Sequence, residues 1–370
     1  MSSDSADMHT DSLDMHSTSP DMRTVSPAPE PAAPPEPAPA PADSRYEPLT
    51  PLMCVRLAAP HTWPGPSVLT SIFGGLYSMY AGYGFTWWVW CLLLAVAVLA
   101  QSAVNILNDW ADWRAGTDTA ENSDDPTDAV LVYNNPDPAH VLALGVSCMV
   151  CALACGCVCI AWSQSAIPLL IGAIGAVVLV CYSSGKVKIS YLPLGELASG
   201  VVMGCLIPLA DMCVFAGHAL CATQTASAGG PFSLLWLLAP GEWFDAVICT
   251  APFVLGVALV MFTQNISDIE RDAPIGRHTL AVVLGRERSV LAYRIAVVVW
   301  VAVVLHLAFW YFGGGFWAAC VTLVFGLGTL RSLLTTPLTH EVRGPSMGAI
   351  TQANLFVNGA YVIAVMVALL

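Results

Sequence analysis

Long apolar runs without any charged residue dominate the chain after residue 64. Residues 85–104 and 139–162, for example, contain no Lys, Arg, Asp or Glu. A helix of about 20 apolar residues crosses the hydrocarbon core of a bilayer, and it satisfies its own backbone hydrogen bonds there. The pattern predicts an all-α, polytopic membrane protein, a bundle of about nine transmembrane helices near residues 65–83, 85–104, 139–162, 165–182, 192–216, 247–264, 289–311, 316–330 and 347–370.

The first 48 residues have a different pattern. They are rich in Ser, Pro, Ala and Asp, with Pro-Ala low complexity from Pro27 to Pro41. Such a segment has too few apolar side chains to form a core. The sequence therefore predicts a disordered tail over residues 1–48 and one transmembrane domain over residues 49–370.

The basic residues predict the orientation of the bundle. With nine spans, all 13 Lys and Arg residues fall in the N-terminal tail, in the connections after the second, fourth, sixth and eighth spans, or just inside an adjoining helix end. Because cytoplasmic connections are enriched in Lys and Arg, we expect a cytoplasmic N-terminus. The connection 217–246 lies on the opposite side, where Trp236 and Trp243 are expected to face the membrane interface.

Composition excludes one class of partner. Only 11% of the residues are charged and the net charge is −13. Nucleic-acid-binding proteins instead carry a clustered basic surface. The expected surroundings are a lipid bilayer, with no nucleic acid, and the sequence does not indicate any protein partner.

Polar side chains continue directly from the second span. Asn105, Asn108, Asp109 and Asp112 recur at i, i+3, i+4 and i+7, so they share one face if the helix continues. Carboxylates at a membrane helix end are costly unless they are paired or bind a metal. This spacing makes the four residues candidates for a functional site.

A second cluster follows the sixth span, on the same predicted side of the membrane. Asn265, Asp268 and Asp272 recur at i, i+3 and i+7. Two clusters of oxygen ligands suit Mg²⁺, which binds few carboxylates and leaves positions for water and substrate phosphates. Nearby cations are candidates for binding phosphate oxygens: Lys186, Arg271 and Arg277. The alternative for either cluster alone is a solvated loop with helix-capping Asn and Asp side chains.

These segments together resemble the UbiA-type intramembrane prenyltransferase superfamily. The two motifs read Asn108-Asp109-Trp110-Ala111-Asp112 and Asp268-Ile269-Glu270-Arg271-Asp272, and Tyr182 to Lys186 matches a Tyr-x-x-x-Lys pattern. The resemblance implies a Mg²⁺-dependent prenyltransferase that binds a polyprenyl diphosphate. The implied catalytic residues are Asp109, Asp112, Asp268, Asp272 and Lys186, of which the four aspartates bind the metal. The implied substrate-binding residues are Asn105, Asn108, Tyr182, Asn265, Arg271, Arg277 and Asp118.

Within the superfamily, the chain is most similar to the 1,4-dihydroxy-2-naphthoate polyprenyltransferases of menaquinone synthesis. Residues 105–118, 194–196 and 276–282 carry this likeness, which implies an aromatic acceptor and a cell-membrane enzyme whose active site faces the cytoplasm. Two stretches depart from the subfamily. Residues 59–64 lack its basic entry positions, and residues 121–135 are acidic where relatives often have Gly-Pro-x-Arg.

Two alternatives remain open at this point. The same prenyl donor could serve another aromatic or a glycerolipid acceptor. A secondary transporter is the alternative of a different class, since transporters carry ionisable groups near the bilayer midplane. Asp211, inside the fifth predicted span, is the one acid that suits a transporter.

Overall fold

The computed structural model describes residues 46–116, 118–120, 129–183, 188–223 and 240–370. Within these ranges the chain is helical apart from its connections and one isolated bridge between Glu47 and Pro136, which confirms the all-α prediction. The predicted disordered tail, residues 1–48, lies almost entirely outside the described residues. The α-helices are α1 (Pro51–Ala58), α2 (Thr70–Tyr80), α3 (Trp87–Ala115), α4 (Val130–Tyr133), α5 (Pro138–Ser163), α6 (Ile167–Ser183), α7 (Gly195–Val201), α8 (Ile207–Thr223), α9 (Pro240–Cys249), α10 (Ala251–Ser267), α11 (Ile269–Asp272), α12 (Leu280–Leu284), α13 (Arg286–Phe312), α14 (Gly315–Phe325), α15 (Leu327–Thr335) and α16 (Arg343–Ala368).

Six helical segments of the described chain are long and apolar enough to cross a membrane, as expected for an integral membrane protein. They are Trp87–Ala115, Pro138–Ser163, Gly195–Ala219, Trp243–Ser267, Arg286–Phe312 and His340–Ala368. The pair α14 and α15, bent by 59° at its break, would make a seventh span, and Ile167–Tyr182 is a shorter apolar helix. Each of the nine predicted ranges overlaps a helix, while nine spans and a cytoplasmic N-terminus stay predictions.

The centre of the bundle is formed by α10, α13 and α16, which pack against one another. The buried Trp300 of α13 donates from Nε1 to the carbonyl of Pro252 (2.7 Å) and to Oδ1 of Asn358 (3.1 Å). Asn358 in turn donates to Asn354 Oδ1 (2.8 Å). Buried polar groups need such partners, so this network fixes the register of α10, the helix that leads into the second acidic motif.

Asp211 lies apart from both motifs, in the interface of α2 and α8. Its side chain is 3% exposed, and a Cβ atom placed on Gly74 would stand 2.7 Å from the Asp211 Cβ. The absence of a side chain at Gly74 thus allows the two helices to approach closely around the buried acid.

Replacing Gly204 with alanine should destabilise the protein. Gly204 lies in the π-helical segment Val202–Leu206, and an added Cβ would meet the backbone nitrogen of Val254 at 2.4 Å. Because backbone cannot move aside as a flexible side chain can, we expect a loss of about 1–3 kcal/mol, typical of overpacking.

Thermal unfolding in detergent measures this loss. Gly172→Ala is the matched control, since Gly172 lies in α6 and its added Cβ has no atom within 4 Å. Equal melting temperatures for the two variants would contradict the close packing of the 202–206 segment on α10.

Candidate functional site

The first acidic motif lies on a continuous helix. α3 runs on to Ala115, well past the predicted end at residue 104, so the predicted helical spacing of its four polar residues is confirmed. The side chains of Asn105, Asn108, Asp109 and Asp112 are all half-buried. This stretch of α3 therefore presents two carboxylates and two amides within three turns of helix.

A glycine ends α3 and returns the chain to the first motif. Gly116 has φ of 72°, in the left-handed region where a side chain is strained. The Asp118 amide then donates to the Asp112 carbonyl at 3.4 Å. Burial and, secondarily, the neighbouring Asp112 charge raise the pKa of Asp118 to about 6. The structure thus places the predicted Asp118 beside the first motif.

The entry segment before α2 holds one end of the first motif. Asn105 donates from Nδ2 to the Ala58 carbonyl (3.1 Å) and to Thr62 Oγ1 (3.2 Å). Gln101, one turn earlier, donates to both the carbonyl and the hydroxyl of Thr62 at 3.0 Å. These bonds occupy the Asn105 amide nitrogen, so its oxygen is the atom left to meet a ligand.

The second motif spans a break between two helices. α10 ends at Ser267, Asp268 follows with φ −104° and ψ 11°, and the short α11 carries the rest of the motif. His340 Nδ1 donates to Asp268 Oδ1 (3.3 Å), and Arg343 Nε donates to Asp268 Oδ2 (3.2 Å). Asp272 instead accepts from Arg277 Nη1 at 2.9 Å. Each carboxylate therefore has its own arginine, Arg343 for Asp268 and Arg277 for Asp272.

Asp272 is the buried acid of this motif. Its side chain is 3% exposed, and its Oδ2 has no hydrogen-bond partner in the described part of the chain. Burial raises the pKa of Asp272 despite the opposing charge of Arg277, and the Asp268 charge raises it further. Such a buried, half-satisfied carboxylate is costly unless a ligand completes it.

Glu270, between the two aspartates, has a different role. Arg286 Nη2 donates to both Glu270 oxygens, at 2.7 and 2.6 Å. These bonds hold the pKa of Glu270 below its usual value. Because Glu270 is exposed and already paired, it serves to fix α11 against the start of α13.

Arg277 joins the two motifs. Besides pairing with Asp272, its guanidinium lies 5.3 Å from the centre of the Tyr191 ring, and Lys188 approaches the same ring at 5.1 Å. The charges of Lys188 and Arg277 both act on the Asp112 carboxylate. Arg277 and Lys188 thus form a basic centre that contacts Asp272 of the second motif and lies within electrostatic reach of Asp112 of the first.

The structure describes three of the remaining predicted residues. Tyr182, near the end of α6, is subject to the charges of Glu196 and Arg277. Asn265 donates from Nδ2 to Glu196 Oε1 at 2.8 Å. Arg271 is half-buried on α11. Lys186 falls in the segment 184–187, outside the described residues, as does most of the acidic stretch 121–135.

Comparison with known proteins decides the family. The profile of the UbiA prenyltransferase family matches residues 67–337, which is most of the chain. The chain belongs to the UbiA prenyltransferase family.

Two relatives are both named 1,4-dihydroxy-2-naphthoate octaprenyltransferase. The protein of Bacillus subtilis (strain 168) is 30% identical over 204 residues, which cover 54% of this chain and 57% of that protein. The protein of Mycobacterium tuberculosis is 28% identical over 235 residues, covering 62% and 69%.

Solved structures of UbiA homologues share the fold. The homologue from Aeropyrum pernix K1 superposes with a TM-score of 0.57 at 17% identity, covering 80% of this chain and 96% of that chain. The homologue from Archaeoglobus fulgidus gives a TM-score of 0.52 at 10% identity, covering 85% and 98%. At these identities the likeness concerns the fold alone. It supports the helical architecture of this UbiA-family chain as an integral membrane protein.

The donor set of this UbiA-family site fits Mg²⁺. Within the described ranges, no three His, Cys, Asp or Glu side chains stand close enough to hold a metal by themselves. Mg²⁺ needs only one or two carboxylates when substrate phosphates and water fill its other positions. The partnerless Oδ2 of Asp272 and the carboxylates of the first motif offer such oxygen ligands.

Several residues of the site were not among the predicted ones. Lys188 and Tyr191 follow the predicted Lys186, and Glu196 is one of two acids in the fifth predicted span, the other being Asp211. A charged residue in an apolar run was the available signal for Glu196. Nothing in the sequence indicated His340 or Arg343, which reach the second motif from the far end of the chain.

Proposed function

We propose that this UbiA-family protein transfers a polyprenyl group from polyprenyl diphosphate to an aromatic acceptor, 1,4-dihydroxy-2-naphthoate. The position of Arg277, paired with Asp272 and within electrostatic reach of Asp112, is the observation that carries the proposal, because a diphosphate needs both metal ligands and fixed cations. The names of both relatives favour the naphthoate acceptor and a role in menaquinone synthesis. The enzyme is thus a transferase of alkyl groups other than methyl.

Each predicted residue has a place in this proposal. The Mg²⁺ ligands are Asp109, Asp112, Asp268 and Asp272. The cations that bind the diphosphate are Lys186, Arg271 and Arg277. The residues that orient the substrates are Asn105, Asn108, Tyr182, Asn265 and Asp118. Bound Mg²⁺ supplies Lewis-acid stabilisation of the charge on the diphosphate.

The chemistry begins with the bond between the prenyl carbon and the diphosphate oxygen. As that bond breaks, the diphosphate leaves with the electron pair, and Arg277 and Lys186 neutralise part of its growing charge. The electron-rich ring of the acceptor attacks the allylic cation that remains, and the attacked ring carbon then loses its proton, or its carboxylate as CO2, which restores the aromatic ring. Apolar helices around the site exclude the water that would otherwise quench this cation.

The site is proposed to open on the cytoplasmic side of the cell membrane. The positive-inside pattern of the connections supports this orientation. The domain 49–370 would carry the whole activity, with residues 1–48 as a disordered extension.

The protein should attach label from a prenyl diphosphate to 1,4-dihydroxy-2-naphthoate when both are offered in lipid nanodiscs with Mg²⁺. Radiolabelled farnesyl or longer prenyl diphosphate serves as donor, with 4-hydroxybenzoate and a glycerolipid offered in competition. We expect label in a prenylated naphthoquinol, with none in reactions that contain EDTA.

The other outcomes separate the alternatives. Label in the glycerolipid or the benzoate would retain the diphosphate site and replace the acceptor. If the protein neither binds the prenyl diphosphate nor transfers its prenyl group, the transporter is the favoured alternative, and Asp211 is its buried acid.

A further inference from the structure

The connection segment 336–343, which runs from the end of α15 through the first residue of α16, lies against the second motif. Arg286, which pairs with Glu270, also donates from Nη1 to the carbonyl of Leu338. The Leu338 side chain is 3% exposed and packs in the main apolar core. These contacts fix the connection beside α11, although more than 60 residues of chain separate the two.

The end of the connection supplies the donors to Asp268. His340 binds one carboxylate oxygen and Arg343 binds the other. A carboxylate has about four lone-pair sites on its two oxygens, so two donors leave room for a further ligand. Asp268 can therefore be held by protein on one side and bind a cation on the other.

Asp268 needs this support because of its place in the backbone. It stands where α10 ends, with φ −104° and ψ 11°, so no regular helix fixes the direction of its side chain. The Asp268 side chain is 16% exposed and that of Arg343 is 41% exposed, so water partly screens this pair. Arg343 also acts on Asp272, so one guanidinium influences both acids of the motif.

We propose, on the basis of the proposed function, that His340 and Arg343 are positioning residues of the diphosphate site. They orient the Asp268 carboxylate toward the divalent cation that the prenyl diphosphate brings with it. The 336–343 connection is thereby part of the active site, joined to the second motif by Arg286. Donors that orient a metal-binding carboxylate typically change metal affinity by about 10–100-fold when they are removed.

The Mg²⁺ dependence of prenyl transfer tests this inference. We expect Arg343→Gln to raise, by about 10-fold, the Mg²⁺ concentration for half-maximal binding of a radiolabelled prenyl diphosphate and that for half-maximal rate, while kcat at saturating Mg²⁺ changes much less. Arg343→Lys should recover part of the affinity, because it restores the charge without the planar fork. The matched control is Arg331→Gln, an exposed arginine of α15, which should leave the Mg²⁺ dependence unchanged.

His340→Ala gives an independent test, since it removes the donor to the other oxygen of Asp268 and leaves α16 intact. Thermal melting identifies any variant that fails to fold. If only one of Arg343→Gln and His340→Ala folds, the Mg²⁺ dependence of that variant decides the test. A folded variant with the Mg²⁺ dependence of the wild type would overturn the inference and leave the proposed function standing. Wild-type protein without Mg²⁺-dependent transfer would instead refute the proposed function.

Discussion

Replacing Asp112 or Asp272 with asparagine should lower the rate of prenyl transfer by at least about 100-fold. The change is nearly isosteric, so it removes charge with little effect on packing. Asp272 loses the carboxylate whose Oδ2 is buried without a partner among the described residues. Asp112 loses the carboxylate on which Lys188 and Arg277 both act. Initial rates at saturating acceptor measure the effect.

The double variant distinguishes one shared site from two separate ones. Residues that act as a unit show strongly non-additive effects. If both aspartates hold the same diphosphate, Asp112→Asn combined with Asp272→Asn should be little worse than either change alone. Losses that multiply would indicate two independent sites.

Glu287→Gln is the matched control for these variants. Glu287 is an exposed acid in the first turn of α13, outside both motifs. The Glu287→Gln variant should transfer prenyl groups at the wild-type rate. A comparable loss in this control would assign the effect to the net charge of the helix ends instead of the motifs.

Replacing Arg277 with glutamine should lower kcat/KM by about 100-fold or more. Two contacts and one longer-range interaction depend on this guanidinium: the bond to Asp272, the position over the Tyr191 ring, and the charge that acts on Asp112. Its removal leaves Asp272 buried without its cation, which raises the pKa of that carboxyl still further above its usual value. Arg277→Lys should regain only part of the rate, because lysine cannot form the same planar fork.

The control for this change is Arg288→Gln, an exposed arginine at the start of α13. We expect it to retain the wild-type kcat/KM. Full activity of folded Arg277→Gln protein would contradict the conclusion that this residue joins the two motifs.

The first motif could be predicted from sequence because its geometry is local. The spacing of Asn105, Asn108, Asp109 and Asp112 fixes one face wherever the helix continues, and α3 does continue. In the second motif the spacing alone did not indicate that α10 ends at Ser267, one residue before Asp268. Hydropathy also missed the 59° break at Gly326 within the eighth predicted span, since apolar composition does not report on bending.

The partners of the second motif could not be predicted because they depend on tertiary packing. Glu196, His340 and Arg343 contact residues that are 69, 72 and 75 positions away in the sequence. Their contacts follow from how α7, α10 and α16 pack together. Neither the local spacing of apolar residues nor the charge pattern of the sequence predicts such packing.

Binding of a radiolabelled prenyl diphosphate to the protein in nanodiscs tests the central claim most directly. The claim is that both acidic motifs form one metal-dependent diphosphate site. Saturable binding should appear with Mg²⁺, disappear with EDTA, and be lost in both Asp112→Asn and Asp272→Asn while Glu287→Gln retains it. Binding that is independent of Mg²⁺, or that survives both aspartate substitutions, would contradict the account.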